Sequence, residues 1–389
     1  MQTGRSVLAQ LMDFVPKHEF DKCVQRYGGD KRVRSLSCYS QFLAMCFAQL
    51  TGRESLRDIE TCLRAVGRKL YHAGLRSPAP RSTLAVANEK RDWRIFADFA
   101  QVLIAQATRL YAGEPLGVEL EGAAYALDST VVDLCLALFP WAKYKKTRGG
   151  VKMHTLLALR GNFPSLVVVT PGHVQDVNVL AELAFEPGAL YVMDRGYVDF
   201  TQFHRIHRAP AFFLTRAKRN LKFRRRSSAP ADKAAGIRFD QAGILTGPLS
   251  RERYPDTLRR VGYRDSETGK QLEFLTNHMT LPATGIALLY RRRWQIELFF
   301  RWIKQHLRIK SFYGTSPNAV KTQIWIAICV YVLVALLRKR LKLPHSLYSI
   351  LQILSVTLFE KTPVLQALSP SARPYPELGL DNQLYLQGF

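Results

Sequence analysis

Tyr290, Arg293, Glu297 and Lys304 follow one another at offsets of 3, 4 and 7 residues. That spacing predicts one helix carrying all four on one face, because a helix turns once in about 3.6 residues. A carboxylate between an aromatic hydroxyl and two cations suits a phosphodiester held by a metal ion. The acid would hold a divalent cation, and the cations would take phosphate oxygens. Arg301 also lies one turn from Glu297. An ordinary surface helix would use the same residues only for i,i+4 ion pairs, each worth about 0.3–0.5 kcal/mol. Asp128 follows Tyr125-Ala126-Leu127 in a mostly apolar strand, where a carboxylate is costly unless paired or bound to a metal. Asp133, five residues on, falls on the opposite side of that strand and is the lesser candidate. Asp194 ends the apolar run Leu190–Met193, and strand ends are where open α/β sheets present functional groups. Arg195-Gly196 then turns the chain away, and Asp199 reads as a helix N-cap. Three carboxylates on separate elements, without a His or Cys set, specify a hard cation with oxygen ligands, Mg²⁺ or Mn²⁺. Two such ions about 3.5–4 Å apart would activate a water or a 3′-hydroxyl and stabilise the leaving oxygen.

The elements needed to position these groups are readable in outline. Residues 1–118 look helical. Ser37–Leu50 is an apolar helical run, Ser55-Leu56-Arg57-Asp58 is a capping box, and Leu56, Ile59, Leu63 and Val66 form a stripe. After the breaker Arg76–Pro80, Ser82 caps a further helix through Arg91. Two short basic helices across a breaker, residues 55–91, suggest a helix-turn-helix, although a plain helical bundle fits as well. From residue 119 the texture is α/β. Strands are expected at Ala123–Val132, Val151–Leu159, Leu166–Thr170, Ala189–Met193 and Ala211–Thr215, with helices near 177–185 and 199–208. Residues 217–283 read as an inserted β-rich subdomain. Helices follow through Ile303, over Ala319–Leu341 and over Ser346–Leu358. The expected organisation is a helical region 1–118, a catalytic region 119–341 and C-terminal helices in 342–389.

Composition narrows the partner. The chain has 389 residues, 56 Lys plus Arg and 31 Asp plus Glu, a formal net charge of +25. Such a balance points to a polyanion, nucleic acid or an anionic membrane surface, and 47% hydrophobic residues exclude wholesale disorder. The longest uncharged apolar run, Ile324–Leu337, has 14 residues, short of the roughly 17–25 of a spanning helix, so a core helix and no membrane partner are expected. No signal peptide is visible in the first residues. The six cysteines lack zinc-ligand spacing and read as small, reduced core residues of a cytosolic protein. Two basic clusters stand out. Arg216, Lys218, Arg219, Lys222, Arg224, Arg225 and Arg226 form one; Lys143, Lys145, Lys146, Arg148 and Lys152, beside Trp141 and Tyr144, form the other. The first suits backbone phosphates, and the second adds aromatic faces for a distorted base. Solvated loops would carry the same residues. His154, Trp294 and Trp302 read as structural.

The order Asp128, Asp194, Glu297 resembles the DDE triad of bacterial insertion-sequence transposases. Tyr290-x2-Arg293-x3-Glu297-x6-Lys304 is similar to the helix signature of the IS-four family. Met193–Tyr197 resembles that family's second-aspartate region, and Asp128-Ser129-Thr130 resembles its first. The long interval from Asp194 to Glu297 is what a β-rich insertion ahead of the last helix produces. Tyr27-Gly28-Gly29-Asp30 and the Leu50–Cys62 stretch resemble the helical domain that often precedes this catalytic domain. The resemblance implies an RNase H-like core, divalent-metal cleavage at the ends of the element and joining of the 3′ ends to target DNA. It also implies Tyr290, Arg293 and Lys304 as DNA-phosphate contacts, a homodimer holding two ends of double-stranded DNA, and a bacterial cytoplasmic, nucleoid-associated location. A non-catalytic DNA-binding derivative, and a nuclease of the same fold without strand transfer, are the alternatives.

Overall fold

Serine side chains open five helices by accepting a backbone N–H from the first turn: Ser6, Ser37, Ser55, Ser316 and Ser346. Each meets one of the donors that a helix start leaves without a partner. The computed structural model describes residues 4–67, 69–72, 74–75, 77–145, 148–306 and 312–369. Its first part is helical: α1 Val7–Met12, α2 Lys17–Arg26, α3 Cys38–Leu50, α4 Leu56–Val66, α5 Lys69–His72, α6 Arg81–Lys90 and α7 Arg94–Tyr111. Ser82 lies inside α6 rather than at its cap; Pro80 holds that position without a side-chain bond. Between α4 and α6 the path over 67–80 includes α5, so these two helices are not joined by the tight turn of a simple helix-turn-helix.

The sheet begins with β1 Ala124–Leu134, β2 Lys143–Lys145, β3 Arg148–Ala158 and β4 Phe163–Pro171. Then come α8 Asp176–Glu182, β5 Leu190–Met193, α9 Phe200–Arg208 and β6 Phe212–Arg216. β1, β3 and β4 pair antiparallel, whereas β5 is parallel to β1 and β6 parallel to β5. The spatial order β4-β3-β1-β5-β6 is RNase H-like: an antiparallel meander continued by two parallel strands that need crossover helices. Residues 217–283 do not stand apart as a subdomain. They form β7 Phe223–Ala229, β8 Ile237–Leu245, α10 Pro248–Arg253, β9 Leu258–Arg264 and β10 Gln271–Thr276. These strands prolong the same sheet beyond β6 in the order β10-β9-β8-β7.

Five helices close the described chain: α11 Ala283–Arg292, α12 Trp294–His306, α13 Pro317–Arg340, α14 Leu347–Thr357 and α15 Val364–Ala367. The 14-residue apolar run proves to be the middle of a 24-residue helix, α13. That helix is long and apolar enough to span a bilayer, yet 94% of its apolar window is buried inside the protein. It packs against α3, α6, α7, α12, α14 and β4. A helix apolar all round can be satisfied in this way, at the centre of a bundle. The N-terminal helices therefore share one hydrophobic core with α13 and one face of the sheet. The opposite face forms a second core, around Leu127, Tyr191, Met193, Phe203, Phe213 and Tyr254.

Candidate active site

Leu127 of β1 pairs in parallel register with Met193 of β5. The next residue on each strand is an aspartate, so Asp128 and Asp194 emerge side by side where the parallel pairing ends. Asp133 lies on the other side of β1 and is exposed, as strand alternation requires. Arg195–Tyr197 forms a single 3-10 turn closed by Tyr197 N–H donating to the Asp194 carbonyl, 3.1 Å. Asp199 caps α9 by accepting from Thr201 and Gln202.

Glu297 reaches the same place from the first turn of α12. The single helix expected from the spacing is interrupted at Arg293, which joins α11 to α12. Arg293 stays in the right-handed region, so the four side chains still converge. Its guanidinium donates to Asp128 Oδ2 at 2.9 Å and to Glu297 Oε1 at 2.8 Å. Tyr290 OH donates to Asp194 Oδ1 at 3.4 Å. Lys304 Nζ donates to the Val131 carbonyl of β1 at 2.6 Å. Arg293 and Lys304 thus hold protein groups in this arrangement. Trp302 is buried, but Trp294, read from sequence as core, is 49% exposed on α12 beside Glu297. It stands next to the interruption at Arg293 and is turned off the core face.

Burial pushes the Asp128 carboxyl up to about 6, and the neighbouring charges of Asp194 and Glu297 push the same way. The Ser129 N–H, donating to Asp128 Oδ1 at 2.8 Å, and the Arg293 guanidinium oppose this without cancelling it. Tyr290 is also buried, and its phenol is pushed up to about 12. For Asp128 the folded state binds the proton more tightly than the unfolded chain. The free protein should therefore lose stability through this group as pH rises from about 4 to about 6. At 1.36 kcal/mol per pKa unit the effect is at most about 3 kcal/mol. Denaturant unfolding at pH 4.5 and 7 should show a smaller pH difference for Asp128→Asn than for wild type. An equal difference would remove Asp128 from the carboxylate group.

The donor set Asp128, Asp194 and Glu297 offers only oxygen and excess negative charge, which suits Mg²⁺ or Mn²⁺. Among the described residues no three His, Cys, Asp or Glu side chains already converge on a metal position. Arg293 stands between Asp128 and Glu297 as their counter-ion. The residues fit a divalent cation in chemistry, and closure around one requires the guanidinium to withdraw.

The basic clusters are spread more widely. Arg216 ends β6, and Lys218, Arg219 and Lys222 follow it exposed. Arg224, Arg225 and Arg226 are exposed on β7, the outermost strand. β7 lies five strand spacings from β5, about 24 Å across the sheet. Lys143 and Arg148 are exposed on β2 and β3; Lys145 lies in β2, and Lys146 falls outside the described residues. Lys152 is used internally, donating to the Val174 carbonyl at 2.8 Å and pairing with Asp176 at 3.3 Å. Trp141 Nε1–H donates to the Thr315 carbonyl. His154 is buried, with Nε2 3.0 Å from Thr170 Oγ1, and burial pushes its imidazole down to about 4. Sequence reasoning missed Asp176, which accepts from Ser129 Oγ at 2.6 Å directly behind Asp128.

With two aspartates side by side where the parallel pairing of β1 and β5 ends and a glutamate from a returning helix, the fold and site define an RNase H-like enzyme core of the DDE class. Residues 120–333 match the family model described as transposase DDE domain, and residues 3–76 match a domain of unknown function, DUF4372. The chain belongs to the family of DDE-domain transposases. Two relatives carry transposase names given by inference. Transposase y4zB of Sinorhizobium fredii (strain NBRC 101917 / NGR234) is 33% identical over 73% of this chain and 79% of its own. The transposase for insertion sequence element IS5377 of Geobacillus stearothermophilus is 32% identical over 53% of this chain and 54% of its own. A solved piggyBac transposase synaptic complex with hairpin DNA aligns over 93% of this chain and 81% of that chain, at 11% identity and a TM-score of 0.45. That likeness is too distant to bear on mechanism.

Proposed function

We propose that this chain is the transposase of an insertion sequence of the IS-four kind. It binds the terminal inverted repeats of its element, cleaves the DNA there and joins the 3′ ends to target DNA. The observation that carries the reading is the meeting of Asp128, Asp194 and Glu297 around Arg293 at the end of the parallel strands. The three carboxylates would hold Mg²⁺ or Mn²⁺, in the number of two for hydrolysis and transesterification. When bound, the ions supply Lewis acidity and lower the pKa of an attacking water or 3′-hydroxyl. The chain's own part is orientation. Tyr290 steadies Asp194, and Lys304 steadies β1 beyond Asp128. Arg293, released from its carboxylates, becomes a bidentate donor for a phosphate.

The wide basic edge then engages double-stranded DNA flanking the cut. About 24 Å from the catalytic strands corresponds to about seven base pairs at about 3.4 Å each. Arg216, Lys218, Arg219 and Lys222 line other stretches of that path, and Lys143 and Arg148, on the β2–β3 side of the sheet, extend the phosphate contacts in the other direction. Base-specific reading of the ends is assigned to the helical region 1–118, because a helix fits the major groove. Pairing two element ends calls for a homodimer in the DNA complex, and the setting is the bacterial cytoplasm at the nucleoid.

The reading is tested on DNA that includes the sequence flanking the reading frame. Short inverted repeats there should be cut only when a divalent cation is present, and cutting that persists in EDTA contradicts it. A second expected result concerns charge. Replacing Arg224, Arg225 and Arg226 together by Ala should flatten the salt dependence of binding to unrelated duplex DNA. Each lost phosphate contact lowers the log–log slope by about 0.9. An unchanged slope means that β7 never meets DNA.

A further inference from the structure

We propose that Asp176 is a positioning residue that fixes Asp128 and Asp194 relative to one another from behind the sheet. The inference rests on the metal-site reading above. Successive residues of a strand face opposite sides, so Asp128 points towards α12 while Ser129 points towards α8. On that rear side the first-turn carboxylate of α8 gathers two donors at one oxygen, with a buried imidazole beside them. Asp176 Oδ1 accepts from Ser129 Oγ at 2.6 Å, pairs with Lys152 Nζ at 3.3 Å and lies 3.5 Å from His154 Nδ1. Lys152 and His154 belong to β3, and His154 is the register partner of Ser129. Asp176 therefore cross-links β1 to β3 at the residue whose backbone N–H holds Asp128 Oδ1 at 2.8 Å.

The same short helix packs on the 3-10 turn Arg195–Tyr197 that begins directly after Asp194. The hydroxyl of Tyr197 is buried there beside Ser129, within electrostatic reach of Asp176, Asp128 and Asp194. The Asp176 carboxylate thus braces the segment that carries Asp128, its helix packs on the turn that follows Asp194, and the carboxylate is not one of the three that would hold metal. Partners of this kind orient metal ligands, and their loss costs about 10–100-fold in metal affinity or activity.

The test uses the full-length protein. Mn²⁺ binding is measured by calorimetry and by electron paramagnetic resonance, and cleavage is followed as a function of Mg²⁺ concentration. Asp176→Ala should weaken Mn²⁺ binding about 10–100-fold and move the Mg²⁺ midpoint by a similar factor. Saturating metal should restore most of the rate, and binding to the element ends should be unchanged. Ser129→Ala should move both quantities the same way by less, and stands in if Asp176→Ala does not fold. A mere packing role would lower the melting temperature and leave Mn²⁺ affinity and the Mg²⁺ midpoint within about twofold; that result overturns the inference. Asp128→Asn separates the two levels. If it binds Mn²⁺ as wild type does, the metal-site reading fails. If it loses Mn²⁺ and Asp176→Ala does not, the bracing role alone fails.

Discussion

Asp128→Asn, Asp194→Asn and Glu297→Gln are each expected to reduce DNA cleavage at least about a thousandfold while leaving DNA binding within a few-fold of wild type. Each change removes one negative oxygen ligand at nearly constant volume. The several kcal/mol that bound metal supplies to the barrier correspond to factors of that size. The three are not equivalent in the free protein. Arg293 bridges Asp128 and Glu297, so either of those substitutions leaves the guanidinium with one partner. Asp194 meets Tyr290 instead. DNA affinity should therefore rise slightly for Asp128→Asn and Glu297→Gln, which release Arg293 to phosphate, and not for Asp194→Asn. Near-normal cleavage in Mg²⁺ by any of the three would show that its residue is not a ligand. The comparison is made by plasmid nicking with titrated Mg²⁺ and by gel shift in parallel.

The largest expected effect on stability lies away from the chemistry. Arg259 and Asp240 form a buried pair between β9 and β8, at 2.8 Å from Nε and 2.6 Å from Nη2. The remaining nitrogen, Nη1, donates to the carbonyls of His278, Met279 and Leu281. Those three residues lead into α11, which ends at the site. Arg259→Met would leave the buried Asp240 carboxyl without its partner and would free the three carbonyls. Breaking such a pair from one side costs about 3–5 kcal/mol, to be read from denaturant unfolding. Arg291→Ala breaks longer pairs of an exposed guanidinium with Asp265 at 3.5 Å and Glu267 at 3.7 Å and should cost less than about 1 kcal/mol. A loss below about 1 kcal/mol for Arg259→Met would mean that the far strands do not brace α11.

Much of this arrangement is legible in the residues because local rules suffice for it. Alternation gives β1 and β5 nearly their observed lengths, a carboxylate inside an apolar strand marks Asp128, and a strand-end position marks Asp194. The serine and aspartate caps at Ser37, Ser55 and Asp199 are set by sequence neighbours. What escapes depends on distant partners. The helix interruption at Arg293 accompanies a guanidinium drawn to Asp128, far away in sequence. Continuation of the sheet through residues 217–283 rests on β10 pairing with β6, a register that no local pattern specifies. Lys152 reads as a basic surface residue until Asp176 is brought beside it, and Trp294 reads as core until the helices around it are in place.

Strand joining separates a transposase from a nuclease of the same fold. Duplex oligonucleotides ending at the element's inverted repeat are incubated with the full-length protein, Mg²⁺ and a supercoiled target plasmid, and the products are sequenced across the junctions. The expected result is the oligonucleotide 3′ end covalently joined to target DNA at scattered sites, absent in EDTA and absent with Asp128→Asn. Cleavage without any joined product, or joined product that survives Asp128→Asn, would contradict the assignment of this chain's Asp128, Asp194 and Glu297 to transposition.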